Sequence, residues 1–162
     1  MRFLLLILLS AVLYVGWMHW RPEKTDWKHL TESQWRHRLT QEQFEVLREA
    51  STEDAYSGAL LKEDRVGVYR CAGCGAALFE SKAKFDSGTG WPSFDDPLNP
   101  SVVTHRRHNA VLAVAVEVRC ANCEGHLGHV FPDGPTSTGK RYCMNSAALK
   151  FELDENSNRE RD

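Results

Sequence analysis

The sequence predicts an antiparallel β domain with small helices in front and a separate hydrophobic segment at the N-terminus. Three observations carry this. Beyond Gly58 the apolar residues come in short runs broken by turn residues, the signature of short strands. Two helix-start signals precede that region. From Phe3 to Met18 there is no charge at all. A chain of 162 residues suits one domain, and 26% charged with 42% hydrophobic residues is a globular composition. The formal net charge is −2 and Lys and Arg are scattered, so no basic field exists for nucleic acid.

The first element is the apolar run. A helix from Phe3 to Trp20 would be about 27 Å long, close to the roughly 30 Å hydrocarbon core of a bilayer. Tyr14, Trp17 and Trp20 cluster at its far end, where interfacial aromatic residues sit. Residues 1–21 are therefore expected to be a membrane segment. Tyr14-Val15-Gly16-Trp17 makes a poor A-x-A-like cleavage site, which favours a retained single-pass anchor over a signal peptide. Cleavage would instead leave a secreted or periplasmic domain. Positive charges flank both ends, so the side of the membrane stays open. Removing residues 1–21 takes away two positive charges and no negative one, leaving about −4.

Residues 22–39 read as a linker with a short helix, begun at Thr31 or Ser33 and turning Trp35 inward. A second helix starts after Thr40, where Gln43 completes a T-x-x-Q capping box, and it ends before Ser51. Val66, Val68 and Tyr69 form a strand leading into Cys71. Lys84 to Phe94, rich in Gly, Ser, Asp and Pro, reads as loop. Val111 to Val118 reads as a strand buried on both faces, and Tyr142 to Leu153 as a further strand-like run. Asp154 to Asp162 has no apolar residue and reads as a disordered tail.

Five cysteines are too few for a disulfide-dense scaffold, and their odd number leaves at least one unpaired. Cys71-Ala-Gly-Cys74 and Cys120-Ala-Asn-Cys123 form two C-x-x-C pairs, which can bring four thiolates to one tetrahedral zinc ion. The 45 residues between them place the pairs on separate strands, with the ion as a clip. Disulfides or a redox dithiol are the alternatives, although neither pair has a parallel βαβ setting. A Cys₂His₂ site from Cys120, Cys123, His126 and His129 can also be drawn, but it leaves Cys71 and Cys74 without purpose.

The fifth cysteine, Cys143, lies in Arg141-Tyr142-Cys143-Met144-Asn145. On a strand, Arg141, Cys143 and Asn145 share one face. A cation beside a thiol favours the nucleophilic thiolate, and Asn145 can donate to an oxygen bound beside the sulfur. His126 and His129, in a Gly-flanked segment, are candidate proton sources. Trp91, held between Gly90 and Pro92, can wall a pocket for an apolar group. Each has a bland counterpart: an inert buried thiol, structural histidines, a core indole.

Taken together, the two C-x-x-C pairs, G-T-G-W-P-S-F, G-H-L-G-H-V-F-P-D-G-P and R-Y-C-M-N-S-A-A-L resemble the B-type methionine sulfoxide reductases, from about Thr40 to Leu153. The resemblance implies a mostly antiparallel, barrel-like structure of two sheets, clipped by zinc, with residues 40–153 as the reductase domain. It implies Cys143 as the catalytic nucleophile and Cys71, Cys74, Cys120 and Cys123 as zinc ligands. His129, His126 and Asn145 become the substrate-oxygen site, Trp91 the wall for the substrate methyl, and Phe131 its neighbour. The implied substrate is the R epimer of methionine sulfoxide in proteins or peptides, possibly free as well. The implied cycle passes through a Cys143 sulfenic acid, serves repair of oxidised proteins, and draws electrons from a thioredoxin-like or other thiol reductant. Many members carry a resolving cysteine where this chain has Thr89, so no internal disulfide to Cys143 is expected here. A zinc-ribbon binding module with an inert Cys143, and a membrane-tethered thiol–disulfide oxidoreductase, are the competing readings.

Overall fold

The computed structural model describes residues 25–107 and 115–155. After a single 3-10 turn at Trp27–His29, two short helices follow: α1 (Glu32–Arg36) and α2 (Gln41–Glu49). Both open on a complete capping box, in which the Thr31 or Thr40 hydroxyl accepts from the backbone of Gln34 or Gln43 while that glutamine reaches back. Thr31, not Ser33, is the cap. Helix α2 stops at Ala50, which turns left-handed with φ 58°. Five and nine residues are too few to hold helices in water alone, so burial must supply their stability. Trp35, Phe44, Val46 and Leu47 provide it, all buried in the common core.

Nine short strands follow among the described residues: β1 (Gly67–Cys71), β2 (Ala77–Glu80), β3 (Lys84–Phe85), β4 (Ser93–Phe94), β5 (Val103–Arg106), β6 (Val116–Cys120), β7 (His126–Phe131), β8 (Arg141–Met144) and β9 (Leu149–Leu153). They make two antiparallel sheets, one in the order β2-β1-β9 and one in the order β3-β4-β8-β7-β6-β5. Aromatic rings join the two. Phe79 of the smaller sheet stacks on Phe94 of the larger at 4.4 Å, Tyr69 meets Phe94 edge-on at 4.9 Å, and Tyr142 lies 5.8 Å from Phe79. Burying rings of this size contributes the largest share of apolar burial in so small a core.

Three expectations change. Among the described residues the sheets are open rather than barrel-like: β3 and β5 are the edges of the larger sheet, and two-residue strands at one end are too short to close it. The stretch from Lys84 to Phe94 is not all loop, because its ends pair with each other as β3 and β4. Tyr142 to Leu153 is not one strand. A 3-10 turn at Ser146–Ala148 breaks it and carries the chain from the larger sheet, where β8 lies, to the smaller, where β9 lies. The strand expected over Val111 to Val118 begins outside the described residues; its described part starts at Val116, with Glu117 and Val118 both buried on opposite faces. The anchor expected at 1–21 and the tail beyond Glu155 also lie outside the described residues. Among the described residues no helix is long and apolar enough to cross a membrane.

Candidate active site and metal centre

The two C-x-x-C pairs occupy equivalent turns, one joining β1 to β2 and the other β6 to β7. Each folds by the same two backbone bonds. Gly75 N–H donates to Cys71 O at 2.9 Å and Cys71 N–H to Ala76 O at 2.8 Å; Glu124 N–H donates to Cys120 O at 2.8 Å and Cys120 N–H to Gly125 O at 2.9 Å. The residue after the second cysteine is left-handed in both, Gly75 at φ 76° and Glu124 at φ 60°. The turns come from different sheets, so whatever they hold together clips one sheet to the other.

All four sulfurs lie within 4.8 Å of one another, with Cys71 to Cys123 and Cys74 to Cys120 each at 3.6 Å. Tetrahedral zinc with sulfur at about 2.3 Å requires sulfur–sulfur separations of about 3.8 Å, and the cluster fits this. Hydrogen bonding from Cys120 and Cys123 pulls the Cys74 thiol down, whereas Cys71, hydrogen-bonded to the same sulfurs and buried, is pushed up. Four crowded sulfurs of this kind need a cation to become thiolates together. Helix α2 seals the turn: Arg48 donates to Cys123 O at 3.0 Å, and Leu47 packs where Gly125 has no side chain. The Cys₂His₂ alternative is not what the structure brings together, because His126 and His129 point into other surroundings.

Cys143 lies at the centre of β8, opposite His129 of β7 and Ser93 of β4. Alternation sends Tyr142 and Met144 into the core and leaves Arg141 and Cys143 on the outer face. A hollow of about 140 Å³ opens there, lined by Thr52, Trp91, His129, Phe131, Cys143 and Asn145 among others. Two larger hollows, of about 630 and 510 Å³, border it at Phe131 and Trp91 and contain no thiol. Burial pushes the Cys143 thiol above its ordinary range. The Thr89 hydroxyl, the charge of Arg141 and the Ser93 hydroxyl pull it the other way. Arg141 is held by Asp133 through two bonds of 2.9 and 2.8 Å and lies 4.5 Å over the Phe131 ring.

His126 does not line the hollow. It is buried behind His129, ring centroids 5.3 Å apart and edge-on, with Nδ1 2.9 Å from the carboxylate of buried Glu117. Nδ1 faces the Glu117 carboxylate, which leaves Nε2 as the ring's other nitrogen. That Nε2 is buried without a hydrogen-bond partner among the described residues. Asn145 is buried and largely committed: its amide donates to Leu127 O at 3.1 Å and its oxygen accepts from Glu53 N–H at 3.1 Å. One amide N–H remains for the hollow.

Two residues escaped the sequence reading. Glu53 binds three parts of the site at once. Its N–H holds Asn145, its carbonyl accepts from Trp91 Nε1 at 3.1 Å, and its carboxylate accepts from Ser146 N–H at 2.7 Å and Ala147 N–H at 2.9 Å. No local signal marks it, since its partners are 38 to 94 residues away. Gly128 lies between the two histidines, and a Cβ there would land on the Cys143 carbonyl. A glycine between two candidate site residues on a strand was a legible sign of close backbone approach.

A buried four-cysteine cluster that could hold a metal ion between two sheets, with a lone half-buried thiol in a polar and aromatic hollow, defines a β domain with a candidate thiol site. The chain matches the SelR domain over residues 39–153. It is 57% identical to the peptide methionine sulfoxide reductase MsrB of Bradyrhizobium diazoefficiens over 75% of this chain and 88% of that protein. It is 53% identical to the MsrB of Leifsonia xyli over 77% and 91% respectively. It is 48% identical to the chloroplastic peptide methionine sulfoxide reductase B1 of Arabidopsis thaliana over 80% and 64%. Among solved structures the Mis18 'Yippee-like' domain matches with TM-score 0.42 and 20% identity over 55% of this chain and 97% of that one, a likeness too slight to carry an argument. The chain belongs to the SelR-domain family, the B-type methionine sulfoxide reductases, and is an oxidoreductase.

Proposed function

We propose that the domain reduces the R epimer of methionine sulfoxide in proteins and peptides, with Cys143 as the nucleophile and repair of oxidised proteins as its role. The observation that carries this reading is one hollow lined by Cys143, His129, Asn145, Trp91 and Phe131 together. Cys143 attacks the sulfoxide sulfur as the sulfoxide oxygen takes a proton. His129 is the acid in contact with that oxygen. His126 stands behind it, its buried Nε2 able to hold a water that feeds the proton, and Asn145 donates its remaining N–H to the oxygen. The oxygen passes to Cys143 as sulfenic acid and methionine leaves. Two electrons and two protons from an external thiol reductant of the thioredoxin kind then return the thiol and release water. Trp91 and Phe131 receive the methyl group, and the polar side receives the oxygen, so one configuration at sulfur satisfies both.

Zinc held by Cys71, Cys74, Cys120 and Cys123 would serve structure alone, because the cluster lies in the turns and not in the hollow. Thr89 beside Cys143 leaves no partner thiol for an internal disulfide, which supports direct reduction of the sulfenic acid. The uncharged run from Phe3 to Met18 supports a tether to a membrane. Titrating sulfenic acid after one equivalent of R sulfoxide tests the mechanism. One sulfenic acid per chain and no internal disulfide is expected; a stoichiometric disulfide to Cys143 would overturn it.

A further inference from the structure

We propose that Thr89, Ser87 and Ser93 form a chain of hydroxyls that delivers hydrogen-bond donation to the Cys143 sulfur, with Thr89 at its end against the sulfur. Thr89 Oγ1 lies 3.9 Å from Cys143 Sγ. Ser87 Oγ lies 2.8 Å from Thr89 Oγ1 and 2.8 Å from Ser93 Oγ. Ser93 is fully buried and is the cross-strand partner of Cys143. Each hydroxyl has one proton to give. Directed from Ser93 to Ser87, from Ser87 to Thr89 and from Thr89 to sulfur, every donor has an acceptor and each bond polarises the next. An anionic sulfur selects that direction; a neutral thiol permits Ser93 to turn to its second acceptor, Trp91 O at 3.2 Å.

The loop is built to hold this arrangement. Tyr56 clamps it from outside, giving its N–H to Gly90 O at 2.8 Å and its hydroxyl to Gly88 O at 2.7 Å. Asp86 accepts from Gly88 N–H at 2.9 Å. Gly88 and Gly90 both take left-handed φ, 67° and 94°, so the loop bends back over β8 at Thr89. The charged and titratable groups around the sulfur are Arg141 with Asp133, and His129 with His126 and Glu117. Glu53 faces the other way, its carboxylate taken by Ser146 and Ala147. None of these is a hydroxyl donor, so the chain is a separate source of thiolate stabilisation.

This inference rests on Cys143 being the reactive thiol, and its test reads the thiol directly. The alkylation rate of Cys143 by iodoacetamide is followed by mass spectrometry against pH, in the metal-loaded chain and in Thr89→Val, Thr89→Ser and Ser87→Ala. Thr89→Val keeps the shape and removes the donor. It is expected to slow alkylation at pH 7 about tenfold and to move the pH profile upward, the scale of one hydrogen bond to a charged group. Thr89→Ser is expected to restore the native profile, and Ser87→Ala to shift it in the same direction by less. If Thr89→Val fails to fold, Ser87→Ala and Thr89→Ser still decide. A native pH profile in folded Thr89→Val or in Ser87→Ala would overturn the proposal, whether or not the protein reduces sulfoxides.

Discussion

Replacing Glu53 by Gln tests whether the site is held from behind by one carboxylate. The carboxylate accepts two backbone N–H groups, at 2.7 and 2.9 Å, and Glu53 is only 8% exposed. Each bond to a charged acceptor is worth about 1.5–3 kcal/mol. Gln keeps one oxygen as a neutral acceptor worth about 1 kcal/mol and turns its NH₂ toward the other N–H, leaving a buried donor that costs about 1–3 kcal/mol. The net loss is at least about 3 kcal/mol, which lowers the melting temperature by about 10 °C or more in a domain of this size. Crowding leaves little room for escape, because even a Cβ on Gly58 would strike the Glu53 carboxylate and the Ser146 hydroxyl. The assay is denaturant unfolding of the metal-loaded chain followed by far-ultraviolet circular dichroism, with turnover measured alongside. A midpoint within experimental error of the native one would refute the reasoning. Turnover should fall more than tenfold even where the variant is fully folded, since Asn145 and Trp91 are held by the same residue's backbone.

Gly128→Ala should destabilise the domain by roughly 2–3 kcal/mol through overpacking against the Cys143 carbonyl, and should lower sulfoxide reduction with it. A neutral result in thermal unfolding would mean that β7 and β8 can separate there at no cost. Metal removal by a strong chelator should abolish cooperative unfolding, because an ion held there would supply on the order of 10 kcal/mol to a clip joining two sheets. One zinc per chain by elemental analysis, with loss of the β spectrum on chelation, is the expected result. For pH, burial raises the folded Cys143 thiol above its unfolded value. Below about pH 8 both states keep the proton and the stability is intact. As pH rises through the unfolded value of about 8.5 toward the folded one, the unfolded chain loses its proton first and stability falls. Unfolding midpoints from pH 7 to 10 should therefore drop more steeply in the native chain than in Cys143→Ser.

Local signals were the legible part of this fold. Both capping boxes could be read because Thr31 with Gln34, and Thr40 with Gln43, are three residues apart and settle their own geometry. The four metal-site cysteines could be read because ligand spacing is written in the chain itself. Strand limits were less legible. Lys84–Phe85 and Ser93–Phe94 are strands only because β4 finds β8, a partner some fifty residues on that periodicity cannot see. The break at Asn145 has the same origin, since Glu53 caps the turn at Ser146–Ala148 from 93 residues away. His126 and His129 looked alike in sequence, yet a register shift between Val118 and Arg119 on the paired strand β6 accompanies one ring against Glu117 and the other in the hollow. The barrel-like closure implied by resemblance gave way to open sheets for want of strand length.

The central claim is that Cys143 takes oxygen from one epimer of methionine sulfoxide. The most direct measurement is turnover of separated R and S sulfoxides by a chain lacking residues 1–21, with dithiothreitol as reductant and Cys143→Ser in parallel. Activity on the R epimer alone, absent in Cys143→Ser, is the predicted result. Equal turnover of both epimers, or activity that survives loss of the Cys143 thiol in the folded, metal-loaded protein, would contradict it.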